Sequence, residues 1–173
     1  YWNNNDLSYQ IINETLASEF LKNNFNKKYL SAFLPGDSKW KADLLRFCIM
    51  SKYSGIYSDV DQIPTEYLFN LPNDIDTITV IGAHSPPSFG LYPLPKGELH
   101  IGFIKCTSPE PLFIDYISSI TPEIVASGNP YAINIQGLYI FLCNRWNINE
   151  IKPFTKYYDK YYNRTWYFIL EKK

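Results

Sequence analysis

The sequence predicts an α/β domain built on a largely parallel sheet. Helix-like and strand-like segments alternate along the chain. The strand-like segments are rich in β-branched and aromatic residues and are bounded by Pro and Gly clusters. A length of 173 residues, read as 1–173, suits a single domain with a core of its own.

The elements follow in order. Asn3-Asn4-Asn5 is turn-like, and a helix is expected over about residues 6–26, with Ile11, Ile12, Leu16 and Phe20 as its apolar face. After Pro35-Gly36, Asp37 or Ser38 can cap a second helix, because a side-chain oxygen there accepts from the first unpaired backbone N–H groups. Its buried stripe is Trp40, Leu44, Phe47 and Cys48, with Leu45 beside it. Gly55 is expected to stop that helix. Ile56, Tyr57 and Ser58 then lead as a short strand into Asp59-Val60-Asp61, where strand alternation points both aspartates to one face. Pro64 limits further pairing.

Residues 77–83 (TITVIGA) read as a buried strand. Residues 84–97, with Pro86, Pro87, Pro93 and Pro95, read as a loop, either a rim over a binding site or an ordered surface crossover. Another strand is expected over 100–106. Ser108-Pro109 opens a helix to about residue 120, with Ser as cap and Pro in the first position. Residues 130–144 read as helix, and 151–158 and 165–170 as late strands. In this arrangement the D-x-D ends a central strand, where open α/β sheets usually bind ligands.

Composition narrows the partners. A net charge of −1 argues against nucleic acid, which calls for a basic surface. No apolar stretch approaches the length of a membrane span. Cys48, Cys106 and Cys143 show no C-x-x-C spacing, and the first two lie in apolar runs as expected of buried thiols.

The chemistry concentrates in residues 41–64. Asp43 and Arg46 are one helical turn apart and project from about the same face. Asp59 and Asp61 are hard oxygen ligands that suit Mn²⁺ or Mg²⁺, ions that bridge readily to phosphates. Such an ion stabilises a departing diphosphate as a Lewis acid. Each piece has a plainer reading: an Asp–Arg pair at this spacing is usually a solvated surface pair, and a lone D-x-D is a weak signal. Their fixed order and spacing is the informative feature.

Ala42-Asp43-Leu44-Leu45-Arg46-Phe47 followed by Gly55-Ile56-Tyr57-Ser58-Asp59-Val60-Asp61 resembles the DXD-containing sugar-binding region of glycosyltransferase family 32. That family includes fungal α-mannosyltransferases and bacterial capsular glycosyltransferases, and the clostridial glucosylating toxins carry a similar core. The resemblance implies a GT-A type, Rossmann-like nucleotide-sugar-binding fold whose first strand lies upstream of Tyr1. It also implies a UDP- or GDP-sugar donor, a glycan or protein acceptor, Mn²⁺ or Mg²⁺ dependence and retention of anomeric configuration. Asp59 and Asp61 are then the metal ligands. Asp43 and Arg46 orient the donor sugar, and Tyr57 and Asp59 belong to the donor site. Asn163-Arg164-Thr165-Trp166 is similar to the family's closing segment, so Thr165 closes over metal and diphosphate and Trp166 packs on the donor. Without the resemblance, Trp166 reads as a core aromatic.

Two other readings stand beside this one. A non-catalytic nucleotide-sugar or glycan-binding domain is motivated by Ile101 where an Asn is common and by the lack of a His shortly before Trp166. A phosphatase of the haloacid dehalogenase type would require Thr or Val where Ile63 stands. His84 and His100 are candidate metal or substrate contacts, but each reads more readily as a hydrogen-bonded strand-end histidine, and both are left out of the catalytic set.

Overall fold

The computed structural model describes residues 8–60, 62, 71, 74–81, 99–120 and 137–170. The expected features of 61, 63–70, 82–98 and 121–136, Asp61, Pro64 and His84 among them, lie outside the described residues.

Three helices lead. Helix α1 (Glu14–Asn24) begins at Asn13, whose side-chain oxygen accepts from Leu16 N at 3.0 Å. A cap of this kind stabilises a helix by about 1 kcal/mol. The helix thus starts later than its apolar pattern suggests, and its buried residues are Ala17 and Leu21, while Ile11 stays 70% exposed. Helix α2 (Lys27–Phe33), which the hydrophobic pattern did not reveal, is capped by Asn26. Helix α3 (Ser38–Met50) is capped by Asp37, which accepts from Trp40 N at 2.8 Å, and it buries all five residues of the expected stripe. It ends at Ser51, whose hydroxyl donates to Cys48 O, and not at Gly55. Gly55 instead opens strand β1 (Gly55–Ser58) at φ +130°, a conformation closed to most side chains.

The sheet is mixed, not largely parallel. Its order is β1, β3 (Leu99–Cys106), β2 (Thr77–Ile81), β5 (Arg164–Leu170), β4 (Lys156–Asp159). Among the described strands only β2 and β5 run parallel; β1–β3, β2–β3 and β4–β5 are antiparallel. Strand β3 is buried along most of its length, so it carries the continuous apolar run of a parallel strand although both its neighbours oppose it. Strand β1, expected to be central, is the end strand of the sheet among the described residues.

Strand β3 contains an irregularity. Thr79 pairs with Ile104, but Val80 pairs with His100, which leaves Ile101, Gly102 and Phe103 without partners in β2. The face parity changes across this step. Leu99 and Ile101 before it, and Ile104 and Cys106 after it, all enter the same core. A bulge lets a strand do this without turning its apolar residues to solvent.

Helices α4 (Leu112–Ser119) and α5 (Gly137–Trp146) complete the described elements. The main core packs Phe47, Leu99, Phe113, Leu142, Trp166 and Phe168, and α1, α2 and α3 share a second cluster. A third cluster, with Ile78, Val80, Phe103 and Ile169, draws on the alternate residues of β2 and β5. Helix α4 starts three residues later than its Ser-Pro start signal. The buried Glu110 carboxylate, and not Ser108, accepts from Leu112 N at 3.1 Å, and it also accepts from the Thr77 hydroxyl at 2.7 Å. The β4–β5 turn is fastened by the fully buried Asp159, which accepts from Tyr161 N, Tyr162 N, Trp146 Nε1 and the Arg145 guanidinium. All three cysteines are buried free thiols. Among the described residues no helix is long and apolar enough to cross a membrane.

Candidate functional site

Helix α3 and strand β1 bring four of the expected residues together. Arg46 Nη2 lies 2.9 Å from Asp43 Oδ1 and 3.2 Å from Asp59 Oδ1. Its Nη1 donates to Ile101 O at 2.6 Å, within the irregular stretch of β3. The guanidinium also sits 4.9 Å from the centre of the Tyr57 ring, within range of a cation–π contact. The Tyr57 hydroxyl donates to Asp59 Oδ1 at 2.9 Å. Burial raises the Tyr57 phenol well above its ordinary value; the Arg46 charge opposes that shift and Asp59 adds to it. Tyr57 therefore acts at neutral pH as a fixed hydrogen-bond donor.

This geometry changes the expected role of Arg46. Its side chain is only 5% exposed and bonds inward to two carboxylates and a carbonyl. It organises the site from beneath instead of reaching out to sugar hydroxyls. Asp43 and Asp59 are more open, at 17% and 30%.

Asp59 divides its two oxygens between tasks. Oδ1 is anchored to Arg46 and Tyr57, whereas Oδ2 faces Gly102. A Cβ at Gly102 would lie 2.9 Å from that oxygen, so the carboxylate rests close against the glycine and any side chain there would force it to shift. A hard carboxylate oxygen facing a side-chain-free cradle fits a divalent cation. His100 and Gln62 border the same cradle. His100, set aside in the sequence reading as a strand-end histidine, stands two residues before a strand glycine, which puts both on one side of β3.

Thr165 and Trp166 do not join this group. The register places Trp166 level with Thr77, Cys106 and Gly55, the end of the sheet away from Asp59. Asp59 lies beside Gly102, about 13 Å further along the strands and about 14 Å across them by standard strand spacings. Trp166 is 0% exposed, packed edge-on against Phe113 and Trp146, and presents no face to a ligand. Thr165 N donates to Asp76 Oδ2 at 2.8 Å, and Arg164 pairs with the same carboxylate. Alternation along β5 turns Trp166 into the main core. Among the described residues no three His, Cys, Asp or Glu side chains gather as a metal cluster.

Residues 2–83 match the family described as glycosyltransferase sugar-binding region containing DXD motif. That stretch is similar to a glycosyltransferase. The match spans α1 to α3, β1 and β2, and so contains Asp43, Arg46, Tyr57 and Asp59. It supports a sugar-transferring enzyme, a class generally associated with divalent metal and nucleotide-sugar donors. The mixed α/β sheet with its helices is compatible with a GT-A-like fold. No curated protein and no solved structure matches the chain.

Proposed function

We propose that this chain is a metal-dependent glycosyltransferase of the family 32 type, a single GT-A domain over residues 1–173. It transfers a hexose from a UDP- or GDP-sugar to a glycan or protein acceptor with retention of configuration. The observation that carries this reading is the lock of Asp43, Arg46, Tyr57 and Asp59 within the stretch that matches a DXD sugar-binding region. Asp59 and Asp61 would hold Mn²⁺ or Mg²⁺, which when bound neutralises the diphosphate and improves it as a leaving group. Asp43, held by Arg46, accepts from hydroxyls of the donor sugar. Arg46 and Tyr57 fix the orientation of the Asp59 carboxylate, so that it need not reorganise when the donor arrives. Thr165 and Trp166 take no part in donor binding in this reading.

The test is a thermal-shift panel of UDP- and GDP-sugars with Mn²⁺ or with EDTA, run on the wild type and on Asp59→Asn and Asp61→Asn. A ligand at 100 times its Kd stabilises the folded state by about 2.7 kcal/mol. A donor-specific shift that needs metal and disappears in both variants supports the proposal. A shift that survives EDTA and both substitutions overturns it.

A second reading, a non-catalytic nucleotide-sugar or glycan-binding domain, draws support from the distance of Thr165 and Trp166 from Asp59. Metal-dependent donor binding with neither transfer nor donor hydrolysis selects it.

A further inference from the structure

Three polar side chains converge over one glycine. The point where a Gly102 Cβ would stand is 2.9 Å from Asp59 Oδ2, 3.4 Å from His100 Cε1 and 3.5 Å from Gln62 Nε2. A carboxylate oxygen, an imidazole and a primary amide thus share a floor that carries no side chain.

Backbone bonds fix this meeting. Asp59 N donates to Gly102 O at 2.9 Å, which ties the residue after β1 to β3. Gln62 N donates to Asp59 O at 3.1 Å and folds Gln62 back over the same spot. His100 and Gly102 are two apart in β3, hence on one side of it. The irregular pairing of β3 with β2 begins right after His100, and bulges commonly re-aim side chains beside functional sites.

Chemistry narrows what belongs there. Asp59 is anchored through Oδ1, and that anchor together with the backbone bond to Gly102 holds Oδ2 over the glycine. Carboxylate oxygen, imidazole nitrogen and amide oxygen are all ligands for divalent cations. The two ends of a glutamine amide are nearly isosteric, and a half-turn about its last bond presents the oxygen in place of the nitrogen.

We propose that His100 and Gln62 are ligands of the donor-site cation beside Asp59, His100 through an imidazole nitrogen and Gln62 through its amide oxygen. The inference rests on the glycosyltransferase reading of Asp59 and adds two ligands to it, from β3 and from the turn after β1. Its consequence is a preference for Mn²⁺ over Mg²⁺, because imidazole suits transition-series ions whereas Mg²⁺ favours oxygen ligands.

The test is Mn²⁺ binding by the full chain, followed by electron paramagnetic resonance with UDP or GDP present. Pulsed measurement then reads nitrogen modulation from a ligating imidazole, and ¹⁵N-labelled histidine separates that signal from the nucleotide's nitrogens. The wild type is expected to show an imidazole nitrogen on Mn²⁺. His100→Ala should lose that signal and bind Mn²⁺ at least about tenfold more weakly, with Gln62→Ala intermediate. His100→Gln, of similar size and polarity, should lose the nitrogen signal even if His100→Ala folds poorly. Absence of imidazole modulation in the wild type, or its persistence in His100→Gln, overturns the inference. If Asp59→Asn alone abolishes Mn²⁺ binding, the glycosyltransferase reading survives that failure. If the wild type binds no Mn²⁺ with either nucleotide, both fall.

Discussion

Arg46 Nη2 stands 3.2 Å from Asp59 Oδ1, so a buried helical cation holds in place the carboxylate that follows β1. The same nitrogen is 2.9 Å from Asp43, and one guanidinium therefore sets the spacing of both acids. Replacing it is expected to damage stability and site together. Arg46→Met should cost about 1.5–3 kcal/mol in a urea titration, the range for hydrogen bonds to charged groups, since the acids keep some access to water. Arg46→Lys keeps the charge but not the planar fork, and should retain most of that stability while losing metal-dependent donor binding. Donor binding at wild-type strength in Arg46→Lys would show that the fork does not position Asp59.

Gly102→Ala probes the cradle without replacing any polar group. The added methyl would meet Asp59 Oδ2 at 2.9 Å, and that carboxylate is pinned at its other oxygen. A melting temperature within a few degrees of wild type, with Mn²⁺ affinity reduced about tenfold, is the expected result of calorimetric titration. Unchanged affinity would mean that Oδ2 faces no ligand.

Alkaline stability follows from the buried phenols. Burial raises Tyr57 and Tyr116 well above their ordinary value and pushes Tyr139 up to about 12. A group whose folded value is raised stabilises the fold fully below its unfolded value, about 10, and loses that contribution as pH rises towards the folded value. Unfolding monitored by circular dichroism should set in above about pH 10, with phenolate absorbance from these residues rising in step with it. Tyrosinate appearing for all three while the fold persists would contradict their burial.

Asp159 governs the acid side. Burial alone would raise its carboxyl, but the Arg145 guanidinium, the Tyr162 amide and the Trp146 indole hold it below the usual carboxylate value. A lowered folded value gives stability that is present above the unfolded value, about 3.9, and is lost as pH falls through the folded one. Asp159→Asn leaves Arg145 without its closest partner and should cost about 3–5 kcal/mol at pH 7. It should also flatten the acid limb of the stability curve below about pH 4. Donor affinity of the folded fraction should not change, because Asp159 pairs with Arg164 at the end of the sheet away from Asp59.

Local features were the ones written plainly in the sequence. The Asp37 cap and the stripe from Trp40 to Cys48 involve neighbours a turn apart, and the helix formed as that pattern required. The Asp43–Arg46 pair and its closeness to Tyr57 and Asp59 follow from a helix running into a short strand. Longer-range facts were not legible. Strand order depends on which strand lies beside which, and the apolar run of β3 reads alike in either direction. Whether Arg46 faces water or protein depends on Ile101 O, a carbonyl exposed to it by an irregularity that no residue type announces. The burial of Trp166 follows from alternation along β5, which directs it into the core. Gln62 carries no signal of its own, because the neighbour it shares with His100 is a glycine, and a missing side chain leaves little trace in a sequence.

Strand β1 has only four residues, its first two are solvent-exposed, and β3 is its one strand neighbour among the described residues. Lifting it breaks a short ladder while the packing of β2, β5 and the helices stays closed. Such rim segments open at lower free energy than the body of a protein. Heating should therefore silence donor binding before it melts the chain, with an inactivation curve displaced to lower temperature than the unfolding curve. A bound donor that grips Asp59 should close that gap, and slowed exchange of the Asp59 amide hydrogen would report it.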